Sequence, residues 1–186
     1  MIGVNRPEGV ERQKHDYYAT DGEVAIPALL SVLGWSEPKL IWENSCGEGH
    51  LSEPLLKAGH NVVSTDLIDR GYGLHGVDFL KPNDLLDPIP WDAVIMNPPY
   101  QRAQEFVEKS LTHAPTVCAF LRLAFLESEK RRQFYREHPP KYVAVFSKRV
   151  KSSKNGLFPK GESSTVAYAW FIWVRGNKEE PKIKWI

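Results

Sequence analysis

An α/β domain with a mainly parallel central sheet is the fold class this sequence predicts, and three observations predict it. Short apolar runs alternate with amphipathic stretches along most of the 186 residues. Glycine or proline stands at most of the junctions between them, where a chain must turn. The last two apolar runs have no helical pattern between them, which calls for an antiparallel hairpin at the edge of the sheet. With 42% hydrophobic and 25% charged residues, the chain has enough apolar content for one domain over residues 1–186 with a core of its own.

The elements follow in order. Residues 23–33 read as a helix stopped by Gly34. Residues 39–43, Lys-Leu-Ile-Trp-Glu, read as a strand that runs into Asn44-Ser45-Cys46-Gly47-Glu48-Gly49. The stretch from there to Ala58 reads as a helix, with Gly59 as its left-handed stop. A second strand covers residues 61–66 and a third covers 91–97, halted by Pro98 and Pro99. Residues 101–113 are expected to be helical, 116–126 a buried strand, and 127–138 a charged helix closed by Pro139 and Pro140. Residues 142–146 and 166–174 are the last strands, joined by a Gly/Ser/Lys-rich segment at 147–165.

Composition excludes several classes. No apolar run approaches the roughly 18 residues of a membrane-spanning helix, and the first 15 residues lack a signal-peptide core. Cys46 and Cys118 are too few for a disulfide framework or a Cys-rich zinc site, so no metal is expected and a reducing cytoplasm is the expected location. The net charge of +1 hides a division. Residues 1–100 carry 7 Lys/Arg against 15 Asp/Glu, while residues 101–186 carry 17 against 8. That division points to two surfaces with different partners, one of them polyanionic.

In a parallel sheet, chemistry sits beyond the carboxyl ends of the strands, where strand order switches. Gly47 and Gly49 follow the first strand and let backbone approach a ligand closely, although a plain tight turn reads the same way. Asp66, about 20 residues on, is placed to accept hydrogen bonds from ribose hydroxyls, or else to cap a helix. Asp78-Phe79 pairs an acid with a ring, suited to the amino group and face of an adenine, or to a turn beside a core phenylalanine.

The most specific motif is Asn97-Pro98-Pro99-Tyr100 after the third strand. Two prolines remove two amide donors and leave carbonyls free to accept. The Asn97 side-chain oxygen and the Pro98 carbonyl could hold the two hydrogens of one amino group while Tyr100 stacks on a planar ring. Such a site suits a flipped-out base or another planar amide.

With these residues the chain resembles class I S-adenosylmethionine-dependent methyltransferases that modify the amino group of adenine in DNA. Asp16-Tyr17-Tyr18-Ala19-Thr20-Asp21 resembles their N-terminal cofactor motif, Glu43 to Gly49 their glycine-rich motif, and Asn97 to Tyr100 their catalytic motif. Leu121-Arg122-Leu123-Ala124-Phe125-Leu126-Glu127 and Tyr168-Ala169-Trp170-Phe171-Ile172-Trp173 are most similar to small enzymes of bacteriophages and prophages. The resemblance implies a single Rossmann-like domain of about seven strands with S-adenosylmethionine as cofactor. It implies cofactor contacts from Tyr18, Ala19, Thr20, Glu43, Asn44, Ser45, Cys46, Gly47, Gly49, Asp66, Leu67, Asp78, Phe79 and Asn97. Asn44 and Ser45 depart from the family, which often has Pro and a small residue there. No stretch is long enough for a separate target-recognition domain.

Lys148, Arg149, Lys151, Lys154 and Lys160 lie in the 147–165 segment, with Phe158 among them, and are expected to meet nucleic-acid phosphates; lysines guarding an edge strand give the same pattern. Lys130, Arg131, Arg132 and Arg136 read as a solvated helix face. The expected partner is DNA, with RNA adenine as an alternative. Methylation of a protein glutamine amide uses the same motif but goes with a helical N-terminal domain. Cytosine methylation goes with Ser in place of Asn97. A scaffold without turnover would have no need of the intact motif.

Overall fold

The computed structural model describes residues 17–153, 158 and 166–186. Its main sheet has seven strands: β2 (Leu40–Glu43), β3 (Asn61–Ser64), β4 (Ala93–Met96), β5 (Thr116–Arg122), β6 (Tyr142–Val145), β8 (Tyr168–Val174) and β9 (Lys182–Trp185). They lie in the order β3-β2-β4-β5-β8-β6-β9. Only β8 runs against the others, pairing antiparallel with both β5 and β6. A separate two-stranded ladder joins β1 (Ala19–Thr20) to β7 (Ser152–Ser153).

The sheet is covered on both faces because its strands alternate apolar side chains in both directions. On one face Trp42, Val94, Met96, Val117, Ala119, Phe171 and Trp173 pack against Phe106 and Val107 of α3 (Ala103–His113) and Phe134 of α4 (Arg132–Glu137). On the other, Ile41, Ile95, Cys118, Phe120, Trp170 and Ile172 meet Ala25, Ile26 and Leu29 of α1 (Gly22–Leu33) and Leu55 of α2 (Ser52–Lys57). The Trp170 indole also donates to the Ala25 carbonyl at 2.9 Å, which ties β8 to α1. β5 and β8 are buried along almost their whole length, as strands covered on both faces must be.

Three expectations change in detail. The β6–β8 pair is antiparallel, but it is not outermost: β9, which the sequence reading did not identify, adds parallel to β6 and forms that edge. The strand expected over 116–126 ends at Arg122, and residues 123–126 curl into a 3-10 turn. The helix expected over 127–138 is shortened to α4. Ser128 is extended, and the Arg131 guanidinium donates to the carbonyls of Ala124, Phe125 and Glu127, which holds the entry to α4 as a turn.

Between β3 and β4, residues 65–92 carry no helix and only one isolated bridge, Thr65 to Leu74. Phe79, Leu86 and Trp91 nevertheless anchor this connection in the core around Trp42. It therefore forms a wall beside the β2–β4 switch point, where the order of the strands reverses.

Candidate active site

β2 and β4 are parallel neighbours, so their carboxyl ends deliver Asn44 to Gly49 and Asn97 to Tyr100 to one rim. Between them lies a cleft of about 430 Å³. Tyr18, Ala19, Thr20, Glu43, Asn44, Ser45, Cys46, Asp66, Leu67, Asp78, Phe79, Asn97 and Pro99 all line it. Gly47 and Gly49 shape the adjoining turn, Pro98 is buried behind the rim, and Tyr100 stands next to it.

The orientation of the Asn97 amide follows from its partners. Its nitrogen donates to the Tyr18 carbonyl at 2.7 Å and to the Thr20 hydroxyl at 2.9 Å. Both amide hydrogens are thereby used, and the other amide atom must be the oxygen. That oxygen is buried and has no hydrogen-bond partner, a costly state in a folded protein unless a ligand donates to it. Ser45 supports the same residue by donating to its carbonyl at 3.2 Å.

Tyr100 opens a 3-10 turn after Pro99. Its ring stacks on Tyr18 with centroids 5.6 Å apart, and its hydroxyl lies 3.1 Å from that of Tyr168 on β8. The Arg122 guanidinium sits 4.5 Å from the ring centroid. Tyr168 stacks in turn on Phe120, so the core holds Tyr100 from behind.

The glycine turn needs glycine at its first position. Gly47 has φ +57°, and a Cβ there would lie 2.6 Å from the Tyr17 ring. The Gly47 amide donates to one Asp66 oxygen at 2.9 Å, and Ile68 donates to the other at 2.8 Å. Asp66 is thus fixed by backbone donors while each oxygen retains a lone pair for a ligand hydroxyl.

Glu43 is only 1% exposed and accepts a hydrogen bond from Ser52. Burial pushes its carboxyl up to about 8, with the nearby Asp66 charge adding to the rise. The Cys46 thiol is pushed up to about 12 by burial and by the Glu43 and Asp66 carboxylates, so it is no nucleophile. Asn44 is 2% exposed, donates to Ser110 at 3.4 Å, and leaves its side-chain oxygen buried without a partner.

Asp78 accepts from the Leu80 amide at 3.2 Å and lies 3.6 Å from the Lys81 ammonium. Phe79 is 2% exposed, with Trp42, Phe106 and His113 around its ring, so it is chiefly a core residue at the cleft wall. His113 bonds Asp87 and stacks on Trp42, and His60 accepts from the Lys39 amide; both are structural. Among the described residues, no three His, Cys, Asp or Glu side chains converge as a metal site requires, and no helix is long and apolar enough to cross a membrane.

The cleft also includes residues the sequence reading did not assign to it: Tyr17, His50, Leu51, Ile68, Arg70, Val77, Gln101, Arg102 and Phe106. Tyr17 belongs to the 16–21 motif although no contact was assigned to it, and Gln101 directly follows the 97–100 motif. Arg70, which lies 4.0 Å over the Tyr17 ring, comes from the irregular 65–92 connection and had no such signal. Of the basic segment, Lys148 and Arg149 are exposed, and the Lys151 carbonyl accepts from the Asp21 amide at 3.1 Å. Residues 151–153 therefore lie along β1, beside the partners of Asn97. Lys154 and Lys160 lie outside the described residues.

No protein-family model matches the sequence, and no curated protein does. Solved structures do match. A candidate RNA methyltransferase of Pyrococcus horikoshii is 17% identical, with 90% of this chain and 91% of that one covered and a TM-score of 0.63. A candidate class I S-adenosylmethionine-dependent methyltransferase of Listeria monocytogenes is 15% identical with a TM-score of 0.59; the match covers 88% of this chain and spans 62% of that protein's length. The magnesium protoporphyrin IX methyltransferase of Synechocystis, solved with bound S-adenosylmethionine, is 16% identical over 82% of this chain and 77% of its own, with a TM-score of 0.53. The likeness is one of fold. This chain has the α/β architecture of class I methyltransferases.

Proposed function

We propose that this protein transfers a methyl group from S-adenosylmethionine to the exocyclic amino nitrogen of adenine in DNA, with the target base turned out of the stack. The observation that carries the reading is the buried, unpartnered Asn97 oxygen at the rim of a 430 Å³ cleft. A donor is missing there, and a substrate amino group supplies one. Another orphaned oxygen, on Asn44, and the ordered acids Glu43, Asp66 and Asp78 suit a ligand rich in hydroxyl and amino donors. The likeness in fold to a structure holding S-adenosylmethionine supports the same cofactor.

S-adenosylmethionine supplies a methyl group made electrophilic by its sulfonium. Asp66 would hold ribose hydroxyls, Asp78 would face the cofactor's adenine, and Glu43 would face its cationic end. The remaining work falls to Asn97 and its neighbours. An adenine amino nitrogen is a poor nucleophile because its lone pair is delocalised into the ring. Hydrogen bonds from its two hydrogens to the Asn97 oxygen and the Pro98 carbonyl draw the lone pair back onto nitrogen. With the methyl donor bound, a nitrogen held in this way would be set to take the methyl group as the carbon–sulfur bond breaks, and would give up one amino proton to water. Tyr100 provides the stacking face that holds the base in line, where orientation contributes on the order of 7–11 kcal/mol at best.

The test is to incubate the protein with tritiated S-adenosylmethionine and separate samples of DNA, RNA and protein. Label in DNA as methyladenine is the expected result. Label in RNA adenine alone would move the substrate to RNA, and label only in a protein amide would overturn the reading.

A further inference from the structure

We propose that Arg122 grips the phosphate of the nucleotide whose base enters the cleft, and so restricts the site to adenine carried in a nucleic-acid strand. The inference rests on the adenine reading above and adds how the polymer is recognised at the target itself.

Arg122 is the last residue of β5, next to the strand that delivers Asn97, and it pairs in register with Tyr168. It is exposed, and its guanidinium stands 4.5 Å over the Tyr100 ring. Three other arginines among the described residues have donors committed. Arg131 bonds three carbonyls, Arg102 pairs with Glu105, and Arg175 bonds the carbonyls of Leu111 and Thr112. For Arg122, among the described residues, no carbonyl or carboxylate takes up the guanidinium, which rests against the Tyr100 ring. A full positive charge with its donors uncommitted is therefore held at the edge of the proposed base site by an aromatic face.

That geometry matches a ligand that is flat at one end and anionic at the other. A base that reaches the Asn97 oxygen and stacks on Tyr100 brings its own phosphate to the solvent side of the ring. Guanidinium and phosphate meet there in the two-pronged hydrogen bonding that arginine favours. A glutamine side chain or a free nucleobase offers the flat amide or ring and no anion.

The experiment uses a DNA duplex with one mapped target adenine, made either with ordinary linkages or with a neutral methylphosphonate replacing the phosphate on either side of that nucleotide. For the wild-type protein, one neutral linkage is expected to raise KM on the order of tenfold while kcat changes little. Arg122→Ala should raise KM on ordinary DNA by a similar factor and be indifferent to the neutral linkage. Arg122→Lys, which keeps the charge, should restore most of the affinity and the linkage dependence. Binding of S-adenosylhomocysteine should be the same in all three proteins. If the effects of Arg122→Ala and the neutral linkage multiply, or if Arg122→Ala lowers kcat with KM unchanged, the inference is overturned while DNA methylation stands. If the wild-type protein labels no nucleic acid, the functional reading fails and this inference fails with it.

Discussion

At the scale of single residues, the Asn97 amide is divided: its nitrogen is spent on Tyr18 and Thr20, and its oxygen is buried without a partner. Asn97→Ala is expected to lower kcat by about 10²–10³-fold, the cost typical of removing one preorganised polar contact from a reacting group. Calorimetric titration with S-adenosylhomocysteine should still show binding; a variant that turns over normally would contradict the assignment. Glu43 makes a prediction about pH. Its carboxyl titrates near 4.5 when unfolded and near 8 when folded. Between those values the folded chain alone holds the proton, so the contribution of this group to stability is fully present below the lower value. It is lost as pH rises through the window. Melting temperatures should therefore fall from pH 5 to pH 8 more steeply in the wild type than in Glu43→Gln. Equal slopes would show that the proton is not held. Which residues gather at the cleft was legible in the sequence because Asn97-Pro98-Pro99-Tyr100 and Glu43 to Gly49 are contiguous. The Asn44 and Asn97 oxygens left without partners were not readable, since that depends on Ser110, Tyr18 and Thr20, far away in sequence.

At the scale of elements, α1 is docked with no space to spare where it begins. A Cβ on Gly22 would fall 1.7 Å from the His50 carbonyl oxygen, backbone that cannot rotate away. Gly22→Ala should therefore push the first turn of α1 off the segment that follows the glycine turn. A loss of about 1–3 kcal/mol, or roughly 2–12 °C in melting temperature, is the expected cost. A melt matching that of the wild type would mean that the helix slides without penalty. The strands that carry the core were legible because β5 and β8 are long and apolar. β9 was not: Lys182-Ile183-Lys184-Trp185 is short and fully exposed, with Trp185 at 74%, and its only signature is pairing with β6. The β1–β7 ladder joins two residues to two others more than 130 positions away, a match no local pattern encodes.

At the scale of the whole molecule, the division of charge along the chain becomes a division along the rim of the sheet. Asp66 follows β3 on one side of the switch point, while Arg122 ends β5 and Lys148 and Arg149 follow β6 on the other. If that second side meets DNA, Lys148→Ala and Arg149→Ala should each lower the slope of log affinity against log salt by about 0.9 on every DNA sequence. Slopes identical to the wild type would place the phosphates elsewhere. The placement of β8 has a consequence for how the molecule is assembled. β5 and β6 never touch each other in register; β8 is the strip that joins β3-β2-β4-β5 to β6-β9. A chain emerging from the ribosome thus completes four strands and then waits, with the apolar edge Val117-Cys118-Ala119-Phe120-Leu121 uncovered, until residues 168–174 arrive about 50 positions later. Closure of the sheet by β8 is the late, long-range step of folding, and the exposed edge of β5 is where a stalled or truncated chain would aggregate.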